Sequence, residues 1–266
     1  MINLKKCKIG YTNKIIFNDL DLNIKEGIIT GILGTNGCGK TTLLTSILGS
    51  QKIFGGSIEI FGKDIKTLHY KEIAKQIAVV SQLQKPTFDF NVFDVILMGR
   101  NPYLSFKPSK EDMMLTQETI KKIGIEDLST KSYKSLSGGE RQMVNIARAV
   151  NQRTPIIAMD EPTSYLDLKN QSRVMNLVKQ LNEEENKSIV MILHDPSHAI
   201  EFCHEVIFVE KDNITKGTSE EMITPENIKR IYGINSKKLN INGEYHIVPL
   251  LKEQCENTEN MVKIVT

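Results

Sequence analysis

The sequence predicts an α/β fold with a mostly parallel sheet, preceded by antiparallel hairpins and interrupted by a helical insertion. Three observations carry that expectation. Short β-branched runs alternate with stretches of helical periodicity. A glycine-rich turn follows the first buried run and leads into a helix. Residues 84–151 show helix and loop patterns without a clear strand.

Taken in chain order, the alternation through Ile15-Ile16-Phe17 and the run Ser57-Ile58-Glu59-Ile60-Phe61-Gly62 read as antiparallel hairpins. Ile28-Ile29-Thr30-Gly31-Ile32-Leu33 is nearly continuous in apolar residues, as a strand buried on both faces must be. Residues 42–48 continue as a helix, with Gly49 as its stop signal. Ile77-Ala78-Val79-Val80, residues 155–159 and residues 188–193 are further buried strands. Met143, Ile146, Ala147 and Val150 fall at i, i+3, i+4 and i+7, as do Val174, Leu177, Val178 and Leu181. Each set is one face of a helix. After about Lys211 the pattern weakens, and the last dozen residues read as partly disordered. No internal repeat is present, so the chain reads as one unit and not a fused pair.

A hydrophobic content of 40% supports a substantial core. Charged residues make up 25% and the formal net charge is +2, which gives no electrostatic case for a nucleic-acid partner. Cys7, Cys38, Cys203 and Cys255 are scattered, without metal-ligand spacing, and fit a reducing compartment. The N-terminus lacks the apolar segment of a signal peptide, and no stretch approaches the roughly 18–20 apolar residues of a spanning helix. A role at a membrane then requires a partner that spans it.

Gly34-Thr35-Asn36-Gly37-Cys38-Gly39-Lys40-Thr41 fits G-x-x-x-x-G-K-[ST], a phosphate-binding loop between a strand and a helix. Glycines let successive N–H groups converge on phosphate oxygens, and the helix N-terminus that begins at Lys40-Thr41-Thr42 adds partial positive charge. Lys40 is expected on the β- and γ-phosphates and the Thr41 hydroxyl on Mg²⁺. Asp160 and Glu161 follow a buried strand, one suited to the metal through a water and the other to polarising the attacking water. Gln82 and His194 end two more strands. In a parallel sheet those ends share an edge, so both are expected at the same crevice. Gln82 suits Mg²⁺ or water, and His194 suits a γ-phosphate. Leu136-Ser137-Gly138-Gly139-Glu140 stands at a helix start as a second anion-binding turn; as structure alone it is an N-cap with a capping box.

Here the resemblance becomes specific. Leu136-Ser137-Gly138-Gly139-Glu140-Arg141-Gln142 resembles the signature motif of ABC ATPases, and Asp160-Glu161-Pro162-Thr163-Ser164-Tyr165-Leu166-Asp167 resembles their Walker B motif and D-loop. Gln82 and His194 match the Q-loop and H-loop positions, and Tyr11 resembles the aromatic residue that stacks on adenine. The resemblance implies a P-loop NTPase (RecA-like) core with an N-terminal antiparallel β subdomain. It implies one ABC ATPase domain over 1–250, with a nucleotide-binding core of 1–83 and 152–215, a helical subdomain of 84–151 and a C-terminal extension of 216–266. It further implies an ATPase using ATP and Mg²⁺ in a head-to-tail homodimer. Ser137, Gly138, Gly139 and Asp167 then serve ATP held by the other subunit's loop.

A finer resemblance lies in Val92-Phe93-Asp94-Val95-Ile96-Leu97-Met98-Gly99-Arg100-Asn101-Pro102-Tyr103, in Pro108-Ser109-Lys110-Glu111-Asp112, and in residues 224–233. These are similar to ATPases of iron-siderophore, haem and cobalamin importers. The implied partners are integral membrane permease subunits, with an external substrate-binding protein acting through them, and the implied location is the cytoplasmic face of the membrane. The apolar stripe Phe88, Phe90, Val92, Phe93, Val95, Ile96 reads mostly as subdomain core, its exposed remainder as the groove for a permease helix. Zinc and manganese importers share a similar Met-Gly-Arg turn. Soluble ABC proteins that act on DNA or ribosomes usually carry coiled coils or paired cassettes, a P-loop kinase does not need the 136–140 turn, and a catalytically dead module would not need both Glu161 and His194.

Overall fold

The computed structural model describes residues 1–82, 89–211, 213–241 and 243–250. The chain opens with two long antiparallel strands, β1 (Ile2–Tyr11) and β2 (Lys14–Ile24). It enters the interior at β3 (Ile29–Leu33), where every residue is buried. Helix α1 (Lys40–Ile47) follows, then β4 (Ile53–Ile60), the short β5 (Lys63–Asp64), helix α2 (Tyr70–Ala74) and β6 (Ile77–Val80). Strand β4 returns to pair with β1, giving an antiparallel sheet of order β2-β1-β4-β5. Gly49, past the end of α1, has φ 69°. It makes the left-handed turn expected of a helix stop.

Three helices then occur without an intervening named strand among the described residues: α3 (Val92–Leu97), α4 (Lys110–Ile123) and α5 (Gly138–Asn151). Strand β7 (Ile156–Asp160) leads to α6 (Leu168–Glu185), β8 (Ser188–Ile192), α7 (Pro196–Phe202) and β9 (Glu205–Glu210). The main sheet has order β10-β9-β3-β8-β7-β6, with β10 (Asn213–Thr218) antiparallel at one edge and the other neighbours parallel. This is the sheet the β-branched runs predict. Fully apolar strands need cover on both faces, and two buried clusters supply it.

The weak pattern beyond Lys211 hides regular structure. Helices α8 (Ser219–Met222) and α9 (Pro225–Tyr232) are followed by a hairpin of β11 (Ser236–Ile241) and β12 (Glu244–Pro249). Short elements with mixed polarity give little periodicity, and packing fixes them: Ile223, Ile228, Ile231 and Ile247 are buried in the same cluster as β3. Strand β10 runs across residue 216 and pairs with β9 from end to end. The junction at residues 83–84, Phe88 and the last dozen residues lie outside the described residues.

The motif Met98-Gly99-Arg100 has a structural explanation. Arg100 Nε donates to Asp112 Oδ1 at 3.0 Å, with Arg100 8% exposed. Its Nη1 reaches the Asn151 carbonyl, and its guanidinium lies 4.2 Å from the Tyr103 ring centre. A Cβ on Gly99 would stand 2.2 Å from the Arg148 carbonyl, so only glycine lets α5 approach this turn. These residues lock α3, α4 and α5 together.

Candidate nucleotide site

The phosphate loop spans the gap between β3 and α1, at the centre of the parallel sheet. Gly34, Gly37 and Gly39 have φ of 147°, 78° and 112°, which side chains rarely adopt. Space restricts two of them further. A Cβ on Gly34 would stand 2.2 Å from the Val209 carbonyl, and one on Gly39 would stand 2.7 Å from Ile16 Cγ2. Lys40, 6% exposed, donates from Nζ to the Gly34 and Thr35 carbonyls, each at 2.9 Å. Its ammonium is thus held by the loop whose phosphate it is expected to bind. Around the loop lies a cleft of about 310 Å³ lined by Tyr11, Asn36, Gly37, Lys40, Thr41 and Glu161 among others. Tyr11 is half exposed at its mouth, with its hydroxyl 3.4 Å from Thr42 Oγ1. Cys38 is partly buried against the β1–β2 side of the molecule, packed on the cluster that holds Phe17.

The strand-end residues meet at one carboxylate. Glu161 Oε2 accepts from Gln82 Nε2 at 3.0 Å and from Ser164 Oγ at 3.1 Å, while His194 Nε2 stands 2.5 Å from Oε1. Glu161 also has φ 53°, a conformation a non-glycine residue adopts at a cost of about 1 kcal/mol or more. The turn after β7 holds it there. Asp160, the last residue of β7, is partly buried. Burial, then the neighbouring Glu161 charge, pushes its carboxyl above the usual range, with His194 and Lys40 opposing. A carboxylate raised by desolvation and a like charge gains from a cation, so the local chemistry fits a divalent metal. Among the described residues no three His, Cys, Asp or Glu side chains cluster as a metal cage, so a bound ion would also need hydroxyl, amide, water or phosphate oxygens.

The second turn lies apart from this cleft. Ser137 caps α5 in a full capping box: its N–H donates to Glu140 Oε2 at 2.7 Å, and its Oγ accepts from Glu140 N at 3.3 Å. Hydrogen bonds to the carboxylate from the Ser137 N–H and hydroxyl hold the Glu140 carboxyl below its ordinary range. Gly138 has open space where a side chain would stand, whereas a Cβ on Gly139 would meet the Asn170 side chain at 2.3 Å. Asp167 caps α6, accepting from Asn170 N at 2.8 Å and from Asn170 Nδ2 at 3.0 Å. Ser137, Gly138, Gly139 and Asp167 therefore form one surface, and none lines the cleft that holds Lys40. Beside them Tyr165 and Leu168 are 88% and 83% exposed.

The family described as ABC transporter matches residues 17–164, from within β2 to the turn after Glu161. The chain belongs to the ABC transporter family. This ABC ATPase binds ATP and couples its hydrolysis to transport. It is 36% identical over 237 residues to the probable siderophore transport system ATP-binding protein YusV of Bacillus subtilis, covering 88% of this chain and 86% of that one. Among solved structures, one described as a metal-chelate type ABC transporter in an inward-facing conformation superposes with a TM-score of 0.84. It is 28% identical, over 95% of this chain and 98% of that one. A dimeric post-hydrolysis state of the ATP-binding cassette MJ0796 bound to ADP and Pi superposes at 0.70, with 29% identity over 82% of this chain and 99% of that one.

Two contacts at the ABC ATPase site escape the sequence. Ser164 reaches Glu161 only because the 161–164 turn is tight, with Ser164 N bonded to the Glu161 carbonyl at 3.2 Å. Gln142 Nε2 donates to the Pro162 carbonyl at 2.8 Å, tying α5 to the same turn. The short spacing of Glu161 and Ser164 is a local signal for the first. The second joins residues 20 apart and has none.

Proposed function

We propose that this chain is the ATP-hydrolysing subunit of an importer for a substrate of the iron-siderophore, haem or cobalamin type. It works as a head-to-tail homodimer, peripheral to the cytoplasmic face of a membrane, beneath permease subunits that an external binding protein supplies. The observation that carries the chemistry is the convergence of Gln82, Ser164 and His194 on Glu161. Glu161 is the base that polarises the attacking water. Entry of a γ-phosphate gives His194 and Gln82 an anionic partner, and their shift frees the carboxylate. Lys40 exchanges two carbonyls for phosphate oxygens, which tie a charge far more strongly. Thr41, Asp160 and Gln82 would supply oxygens to a bound Mg²⁺, which would neutralise phosphate charge.

The separation of the 137–139 turn from the Lys40 cleft supports a composite site. A turn with open space at Gly138, and with Tyr165 and Leu168 exposed beside it, suits the face of a second subunit. The permease side is supported by a groove of about 480 Å³ lined by Phe93, Met114, Gln117 and Ile120 among others. Val92, Val95 and Ile96 of the same stripe are core residues. Among the described residues no helix is long and apolar enough to cross a membrane. The iron-chelate reading is supported by YusV and by the metal-chelate type transporter. The test is co-purification with the permease encoded beside it, then ATP-driven uptake in vesicles. Uptake of ferric siderophore, haem or cobalamin supports the reading; uptake of free zinc or manganese instead, or a deletion that impairs only translation or DNA repair, rejects it.

A further inference from the structure

Helix α9 reaches the phosphate loop through one hydroxyl. Gly34 N–H donates to the Tyr232 hydroxyl oxygen at 3.2 Å, across 198 positions of sequence. Gly34 is buried, so this amide has no ready exchange with solvent. Tyr232 is itself enclosed enough that burial pushes its hydroxyl up to about 12, so it stays a neutral phenol at working pH. The helix that carries it is fixed on both flanks. Ile228 and Ile231 are in the core, and Arg230 Nη1 pairs with Glu210 at the end of β9. The carbonyl of Val209, one residue earlier, is the atom that excludes a side chain at Gly34. Strand β9 and helix α9 together form the back wall of the loop.

Gly34 is thus held on both sides, through the peptide before it and the peptide after it. Its N–H is bonded to Tyr232, and its carbonyl accepts from Lys40 Nζ at 2.9 Å. These two tethers differ in what nucleotide does to them. Contact with a phosphate draws the Lys40 ammonium away from the carbonyl, and the Tyr232 hydroxyl is the tether that remains. We propose that Tyr232 is a positioning residue of the nucleotide site, so that α9 takes part in ATP binding. Without the hydroxyl, the Gly34 amide is left unpaired and its peptide turns to find another partner. Binding must then undo that relaxation, which weakens affinity for ATP and not the chemical step.

The inference rests on residues 34–41 being the nucleotide site, and the experiment separates the two. In the full-length chain, Tyr232→Phe removes one oxygen and keeps the ring that packs on the core. Binding of a fluorescent ATP analogue, steady-state KM and kcat, and Tm without nucleotide are measured beside Lys40→Ala. The expected result for Tyr232→Phe is about a 10-fold loss of affinity and a matching rise in KM, the scale of one unpaired buried amide. Expected kcat is within about twofold of the parent, since the interaction is equal in ground and transition states. Unchanged affinity in Tyr232→Phe, whatever Tm does, overturns the role of Tyr232 and leaves the site intact. Unchanged affinity in Lys40→Ala overturns the site itself. Should Tyr232→Phe fold poorly, amide exchange at Gly34 in the parent protein decides: exchange as slow as in β3 supports the tether, and exchange as fast as at Gly37 removes it.

Discussion

His194 Nε2 stands 2.5 Å from Glu161 Oε1, while Gln82 occupies the other carboxylate oxygen. The proposed base is therefore reached by donors from two other strand ends, and its activity depends on where they go. Glu161→Gln keeps the shape of this cluster and removes the basic oxygen. Hydrolysis at saturating Mg·ATP is expected to fall by about 10²–10⁴-fold, the usual share of a general base, with nucleotide affinity retained. Turnover close to the parent's would move the base elsewhere.

Asp160 makes an opposite demand on stability. Its carboxyl is raised by burial and by Glu161, so the folded chain holds the proton to higher pH than the unfolded chain. Stability is lost as pH rises through that shifted range, because the unfolded state ionises first. Asp160→Asn is thus expected to raise Tm at pH 8 without nucleotide, by on the order of 2–4 °C if the gain is about 1 kcal/mol. The gain should vanish once pH drops below the ordinary carboxylate range, and hydrolysis should be lost at every pH. A lower Tm for Asp160→Asn at pH 8, seen by calorimetry, would reverse the electrostatic argument.

Asp112 carries the other sign. Hydrogen bonds from Ser109, with Arg100 adding to them, hold its carboxyl below the ordinary range. A depressed carboxylate contributes stability above the unfolded value and loses it as pH falls through the folded one. Asp112→Asn should therefore lower Tm at pH 7, and the difference should shrink in acid. Arg100→Ala removes the ionic partner of the buried Asp112 and leaves it only the Ser109 hydrogen bonds, which is expected to lower stability by about 1–3 kcal/mol, measured by denaturant unfolding. ATP affinity should be unaffected in both, since this pair ties helices and not phosphates.

The Met98-Gly99-Arg100 motif shows where sequence reading reaches its limit. It points to a transporter class, yet the contacts it makes are helix–helix contacts that say nothing of cargo. The strands 29–33, 77–80, 156–160 and 188–192 were legible because both of their faces are apolar and polar residues, with glycine only around the first, bound them. The phosphate loop was legible because its chemistry is local. The position of Gln82 and His194 beside Glu161 followed from strand ends in a parallel sheet, although their direct bonds to it did not. Tyr232 lies within the C-terminal pattern of residues 224–233, which carries no sign of a contact with the loop. Its contact with Gly34 joins elements that no periodicity connects. Similarly, the weak pattern beyond Lys211 reflects short elements whose fixed positions come from packing by Ile228, Ile231 and Ile247.

The central claim is that each ATP is held by the loop of one chain and the 137–139 turn of another. Gly138 is the position at which to test it. A side chain there enters open space, and an aspartate at the first turn of α5 favours that helix in its own chain. Gly139→Asp would instead strike Asn170 in the same chain and confuse folding with function. In Gly138→Asp the carboxylate would face the partner's phosphate, a repulsion that blocks closure when water is excluded. The measurement uses Glu161→Gln chains, so that ATP is retained, carrying either Lys40→Ala or Gly138→Asp. Size exclusion with labelled ATP then counts nucleotide in dimers. Each variant alone should trap almost none. When the two are mixed, one composite site combines both defects and the other has an intact loop and an intact turn. The mixture is expected to trap about one ATP per mixed dimer. A mixture that traps no more than either variant alone would contradict the shared site.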